Sequence, residues 1–138
     1  MSKGNTIKVI VEKAKDHTYW GTTQNIPGVV SAYGSSLEEL KENLKNAFDD
    51  YIEVAEAEKE TWVKDVRKMT NWDYQMDLQA FFGLIPEVKI SAIGKKAKIN
   101  ESLMRQYATG KAVASEARVK LIEQAIHALG QELLSVTF

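Results

Sequence analysis

The first patterned stretch is Ile7-Lys8-Val9-Ile10-Val11-Glu12-Lys13, which is short and β-branched and predicts a strand. Polar Lys15-Asp16-His17 follows as a turn, and a second strand is expected over residues 18–23, where Tyr19 and Trp20 supply large side chains. Pro27-Gly28 suits the central positions of a tight turn, because proline presets φ and glycine accepts a positive φ. A third strand is predicted over residues 29–33, ending at Gly34. Ser36 and Glu39 then stand at capping-box spacing. Behind them Leu37, Leu40, Leu44, Ala47, Phe48, Tyr51, Ile52 and Ala55 recur with a helical period, the strongest helix signal in the chain.

Residues 57–71 are charged and weakly patterned, so a connector is expected there, with a short helix around residues 62–69 in which Trp62 and Val66 pack at i, i+4 spacing. Tyr74, Met76 and Leu78 alternate with Gln75, Asp77 and Gln79, which predicts a fourth, half-buried strand. Gly83 to Pro86 is the expected seam between an α/β module (residues 1–82) and an all-α domain (residues 83–138). The second part offers three helices. One covers residues 87–97, with Val88, Ile90, Ile93 and Ala97 inward. The next covers residues 100–109, capped by Asn100 and stopped by Gly110. The last begins after Ser115 and carries Val119, Ile122, Ile126, Leu129 and Leu133 on one stripe. The fold class that follows is α+β, with a β-β-β-α-β module ahead of a helical domain.

Composition narrows the function classes. The chain of 138 residues has no cysteine, which excludes disulfides, thiolate zinc sites and cysteine nucleophiles. His17 and His127 stand alone, so neither a metal nor a cofactor is expected. No apolar run reaches the ~18 residues of a membrane span, and Met1-Ser2-Lys3-Gly4-Asn5 lacks the apolar core of a secretion signal, so a cytoplasmic location is expected. The formal net charge of −1 conceals a division: residues 1–58 hold six Lys against ten Asp or Glu, whereas residues 88–138 hold eight Lys or Arg against four Glu. Much of the front acidity, Glu38, Glu42, Asp49, Asp50, Glu53 and Glu56, lies on the outer face of the long helix. A basic rear half is the natural candidate for nucleic acid, and an acidic front half for a basic protein.

Two short helices joined by Lys98-Ile99-Asn100 have the spacing of a helix-turn-helix. Ile99, Met104 and Tyr107 are expected in the small core, which leaves Asn100, Glu101, Ser102, Arg105 and Gln106 to face outward. In that geometry the second helix enters the major groove, where Arg pairs with guanine, Gln with adenine and Glu with cytosine. Lys95, Lys96, Lys98 and Lys111 flank this face as candidate phosphate contacts.

The run from Lys89 to Lys111, with Ser115-Glu116 and the following helix, resembles the repressor-type helix-turn-helix at the C-terminus of HicB antitoxins. Tyr19-Trp20-Gly21, Ile26-Pro27-Gly28-Val29-Val30 and Ser36-Leu37-Glu38-Glu39-Leu40 resemble the degraded RNase H-like module of the same family. The resemblance implies a type II toxin-antitoxin protein. Its front module would bind a HicA-like, mRNA-cleaving toxin through an acidic surface, for which Glu42, Asp49, Asp50 and Glu53 are the candidates. Its rear domain would form a homodimer or higher homo-oligomer on operator DNA and repress the operon. Three departures from the family pattern stand out: Lys98 stands where glycine is usual, Gly94 where alanine is common, and residues 111–115 lack the usual proline and are nearly neutral where more basic residues are usual. A lysine at φ > 0 costs about 1 kcal/mol, and weaker phosphate contact, hence weaker DNA binding, is expected from the nearly neutral loop.

The alternative is an orphan helix-turn-helix regulator with no cognate toxin. An enzyme is not expected: an RNase H-like nuclease needs several carboxylates on strands to hold Mg²⁺, and the predicted strands offer only Glu12 and Asp77. The apolar tail Leu133-Leu134-Ser135-Val136-Thr137-Phe138 is expected either to pair across a dimer or to fold onto its own domain.

Overall fold

The computed structural model describes residues 5–138; residues 1–4, including most of the stretch read above for a secretion signal, lie outside the described residues. The chain divides into two compact units, Met1–Ala80 and Phe81–Phe138.

The first unit is a four-stranded mixed sheet with helices. Its elements are β1 (Thr6–Lys13), β2 (Tyr19–Thr23), β3 (Ser31–Gly34), α1 (Leu37–Ala57), α2 (Val63–Arg67) and β4 (Asn71–Gln75). The strand order is β3-β2-β1-β4, with β1/β2 and β2/β3 antiparallel and β1/β4 parallel. Alternation on β1 buries Ile7, Val9 and Val11 while Lys8 and Glu12 face solvent. Against this buried face lies α1, whose Leu40, Leu44, Phe48, Ile52 and Ala55 follow the helical stripe read from the sequence.

Local chemistry fixes the connections. Asp16 accepts from the hydroxyl of Thr18 at 2.6 Å and from its amide at 3.2 Å, which closes the β1–β2 turn with His17 at φ 66°. The same hydroxyl and amide hold the Asp16 carboxyl below its ordinary range. Gly28 takes φ 77° beneath Tyr51, whose hydroxyl donates to the Pro27 carbonyl at 2.7 Å, so the turn is docked on α1. Ser36 Oγ accepts from the Glu39 amide at 3.1 Å. The Glu39 carboxylate reaches past Ser36 to the amide and hydroxyl of Ser35, so the second half of the expected capping box closes one residue earlier.

Four details differ from the sequence expectation. The third strand starts at Ser31, because the Val30 amide donates to the Thr23 hydroxyl and not to a strand carbonyl, and Val29 is left exposed. Trp62 precedes α2 and stacks on Tyr51 at 5.6 Å, while Val63 and Val66 take the buried positions. The fourth strand ends at Gln75, not Leu78. The Asp77 carboxylate accepts the Ala80 amide at 2.8 Å, so Leu78 opens a helix, α3 (Leu78–Leu84). Asp77 is therefore a cap and not a strand residue.

The second unit packs α4 (Ile90–Ala97), α5 (Glu101–Thr109) and α6 (Glu116–Leu134) around Ile93, Ala97, Met104, Tyr107, Ile122 and Ala125. Pro86 lies in a turn closed by the Val88 amide on the Ile85 carbonyl at 3.1 Å, which delays α4 three residues past the expected start at Glu87. The α6 stripe is shorter than its pattern: Ile122 and Ala125 are buried, Ile126 and Leu129 half-buried, and Val119 and Leu133 exposed. At about 1.5 Å per residue, α6 with its 19 residues outreaches α4 with 8 and α5 with 9, so its ends overhang the core. The tail does not fold back, since Leu134, Val136 and Phe138 are exposed. Among the described residues no helix is long and apolar enough to cross a membrane.

Candidate nucleic-acid interface

Between α4 and α5 the chain turns on Lys98, Ile99 and Asn100. Lys98 adopts the left-handed conformation, φ 58° and ψ 42°, and its amide closes onto the carbonyls of Gly94 and Lys95. Glycine would hold this conformation without steric cost, whereas an L side chain gives up roughly 1 kcal/mol or more. Lys98→Gly is therefore expected to stabilise the second unit by about 0.5–1 kcal/mol after the extra chain entropy of glycine is subtracted. Far-UV circular dichroism on heating checks this; a lowered midpoint would show that the lysine side chain contributes a contact worth more than the strain.

Asn100 Oδ1 accepts from the amides of Ser102 at 2.8 Å and Leu103 at 3.3 Å, which starts α5, and Gly110 at φ 82° ends it. The buried face of α5 presents Met104 and Tyr107, with Ile99 half-buried beside them. Gly94 explains how the two helices close up: a Cβ there would lie 2.8 Å from Met104 Cγ and 3.1 Å from the Ile99 carbonyl oxygen. Tyr107 is tied to α6, because Arg118 Nη1 donates to its hydroxyl at 2.9 Å.

With that face inward, Glu101, Ser102, Arg105 and Gln106 are all exposed, as are Lys95, Lys96, Lys98, Asn100 and Lys111. They are not equivalent. Lys96 Nζ reaches Glu132 Oε1 at 2.5 Å and joins α4 to α6. Arg105 Nη2 meets Glu101 Oε1 at 2.8 Å across one turn of α5. Lys95, Lys98 and Lys111 make no ion pair among the described residues. Glu101 and Arg105 also line a groove of about 440 Å³ together with Lys89 and Ser91. Those two residues were not singled out from the sequence; the Pro86 turn, which moves the start of α4 to their position, is the signal that points to them.

No family model, curated protein or solved structure matches the chain.

On the first unit the acidic candidates Glu42, Asp49, Asp50 and Glu53 are exposed on α1. Asp49 and Glu53 line an open groove of about 890 Å³ between the C-terminal half of α1, the end of α2 and the start of β4; Glu42 and Asp50 do not. Asp49 sits 3.5 Å from Lys45, and Glu56 is paired with Arg67. Lys41 Nζ lies 5.0 Å from the Tyr74 ring centroid, and burial raises the Tyr74 phenol above its ordinary pKa. Glu12 is exposed near the end of β1, and Asp77 caps α3. Among the described residues no three His, Asp or Glu side chains come together in a way that could hold a metal ion.

Proposed function

We propose that the chain is a HicB-type antitoxin: its second unit binds operator DNA through a helix-turn-helix formed by α4 and α5, and its first unit, read as a degraded RNase H-like module, binds and neutralises a HicA-like toxin. The observation that carries the reading is the outward face of α5. A capped helix with Glu101, Ser102, Arg105 and Gln106 exposed, behind a three-residue turn and beside Lys95, Lys98 and Lys111, has the donors and acceptors that read base edges and the cations that meet phosphates. Lys89 and Ser91, which share a groove with Glu101 and Arg105, would add contacts to the DNA backbone. Arg105 must first exchange Glu101 for a base, a small cost of about 0.3–0.5 kcal/mol for an exposed i, i+4 pair.

Two-fold operators require a dimer. The exposed ends of α6 and the tail, Val119, Leu133, Leu134, Val136 and Phe138, supply an apolar face for a second copy. The antitoxin reading is tested by looking for a small basic reading frame beside this gene and co-expressing any that is found. Growth arrest by that product alone, relieved when this chain is present and accompanied by a complex that survives purification, is the expected result. The absence of any such product, or arrest that this chain leaves unrelieved, contradicts the antitoxin half and leaves the orphan regulator.

A further inference from the structure

The acidic surface of the first unit is wider than any one contact needs: α1 carries seven Asp or Glu against two Lys. The groove beneath its C-terminal half selects among them. Its lining is mixed, and the apolar part includes Trp72, held edge-on against Phe48 at 5.1 Å and 81°, and half-buried Met69. Trp72 is itself only half-buried. Asp49, Glu53 and Glu56 line the groove together with Lys45 and Arg67. Glu56 is matched by Arg67 and Asp49 by Lys45, whereas Glu53, between them on the same helix face, has no ion pair among the described residues. The volume of about 890 Å³ falls in the range of sites that enclose a ligand's side groups.

Resting on the antitoxin reading, we propose that this groove is the toxin-docking site and that its occupant is a basic amphipathic segment of the partner, which places an apolar side chain on Trp72 and a Lys or Arg at Glu53 and Asp49. A carboxylate without an ion pair in the same groove as a half-buried tryptophan suits such a segment: the apolar anchor excludes water, and exclusion of water strengthens the ion pair beside it. Glu42 and Asp50, outside the groove, contribute only long-range attraction.

The test uses the full chain and the purified product of a small basic frame found beside the gene by the co-expression experiment above. Asp49→Lys with Glu53→Lys is expected to weaken the complex about tenfold or more, while Glu42→Lys with Asp50→Lys, the same change in charge, shifts it by less than about threefold. With Trp20 and Trp62 replaced by Phe, emission from the remaining Trp72 is expected to move to the blue on binding. A wild-type complex that both reversals weaken equally, or a Trp72 emission that does not move, overturns the groove and leaves the antitoxin reading standing. No wild-type complex at all overturns both.

Discussion

Gly34→Ala is expected to cost the first unit about 3 kcal/mol, the upper part of the range for overpacking. The residue ends β3 three positions before the start of α1, and an added Cβ would fall 2.6 Å from the Leu40 amide nitrogen, 2.9 Å from Leu40 Cα and 3.1 Å from the Glu39 carbonyl carbon. All three are backbone atoms, so no side chain can swing aside. The first turn of α1 is also pinned by Ser36, and Leu40 within it is fully buried, so relief by moving the helix would open the core. For a unit of this size, 3 kcal/mol corresponds to a drop in melting midpoint of roughly 12–24 °C. Trp20, Trp62 and Trp72 all belong to the first unit, so tryptophan fluorescence follows its unfolding without interference from the second. A loss below about 0.5 kcal/mol would mean that β3 and α1 do not approach as closely as described.

Much of this architecture was legible because it rests on local chemistry. Ser36, Asn100 and Ser115 cap helices from their own side chains, and Gly110 ends α5 in the conformation its type favours. The left-handed conformation of Lys98 was legible only through the resemblance, which puts glycine at that turn position. The failures are at positions settled by distant partners. Parallel pairing with β1 puts Trp72 beside Ile7 and Tyr74 beside Val9, which fixes β4 at residues 71–75. The apolar alternation ran on through Met76 and Leu78, and nothing in that alternation shows that Asp77 closes onto the Ala80 amide. The α6 stripe failed at its ends for a different reason: its period is right, but the neighbouring helices are too short to cover it.

The candidate sites divide the same way. The polar face of α5 follows from helical spacing once Met104 and Tyr107 are inward, so it could be read residue by residue. The groove on the first unit could not, because it depends on where α2 and β4 lie against α1. Sequence singled out an acidic helix face; the structure separates Asp49 and Glu53 from Glu42 and Asp50.

The second large effect concerns that α5 face. Replacing both Arg105 and Gln106 by Ala removes the two side chains best suited to bidentate contacts with guanine and adenine, each worth about 1–3 kcal/mol of discrimination. Even after the lost Glu101 pair is credited back, selectivity should fall by roughly tenfold or more. The fold should persist: both residues are exposed, alanine is a strong helix former, and the cap at Asn100 and the core contacts of Met104 and Tyr107 are untouched. Binding that remains should still weaken steeply with salt, because Lys95, Lys98 and Lys111 are left in place to meet phosphates.

The decisive measurement is fluorescence anisotropy of the wild-type chain and this double variant, side by side, on DNA from upstream of the gene and on a shuffled duplex of the same composition. Selective binding by the wild type, lost in a variant whose circular dichroism is unchanged, is the predicted result. Equal affinity of the wild type for both duplexes, or selectivity that survives in the variant, would contradict DNA reading by α5.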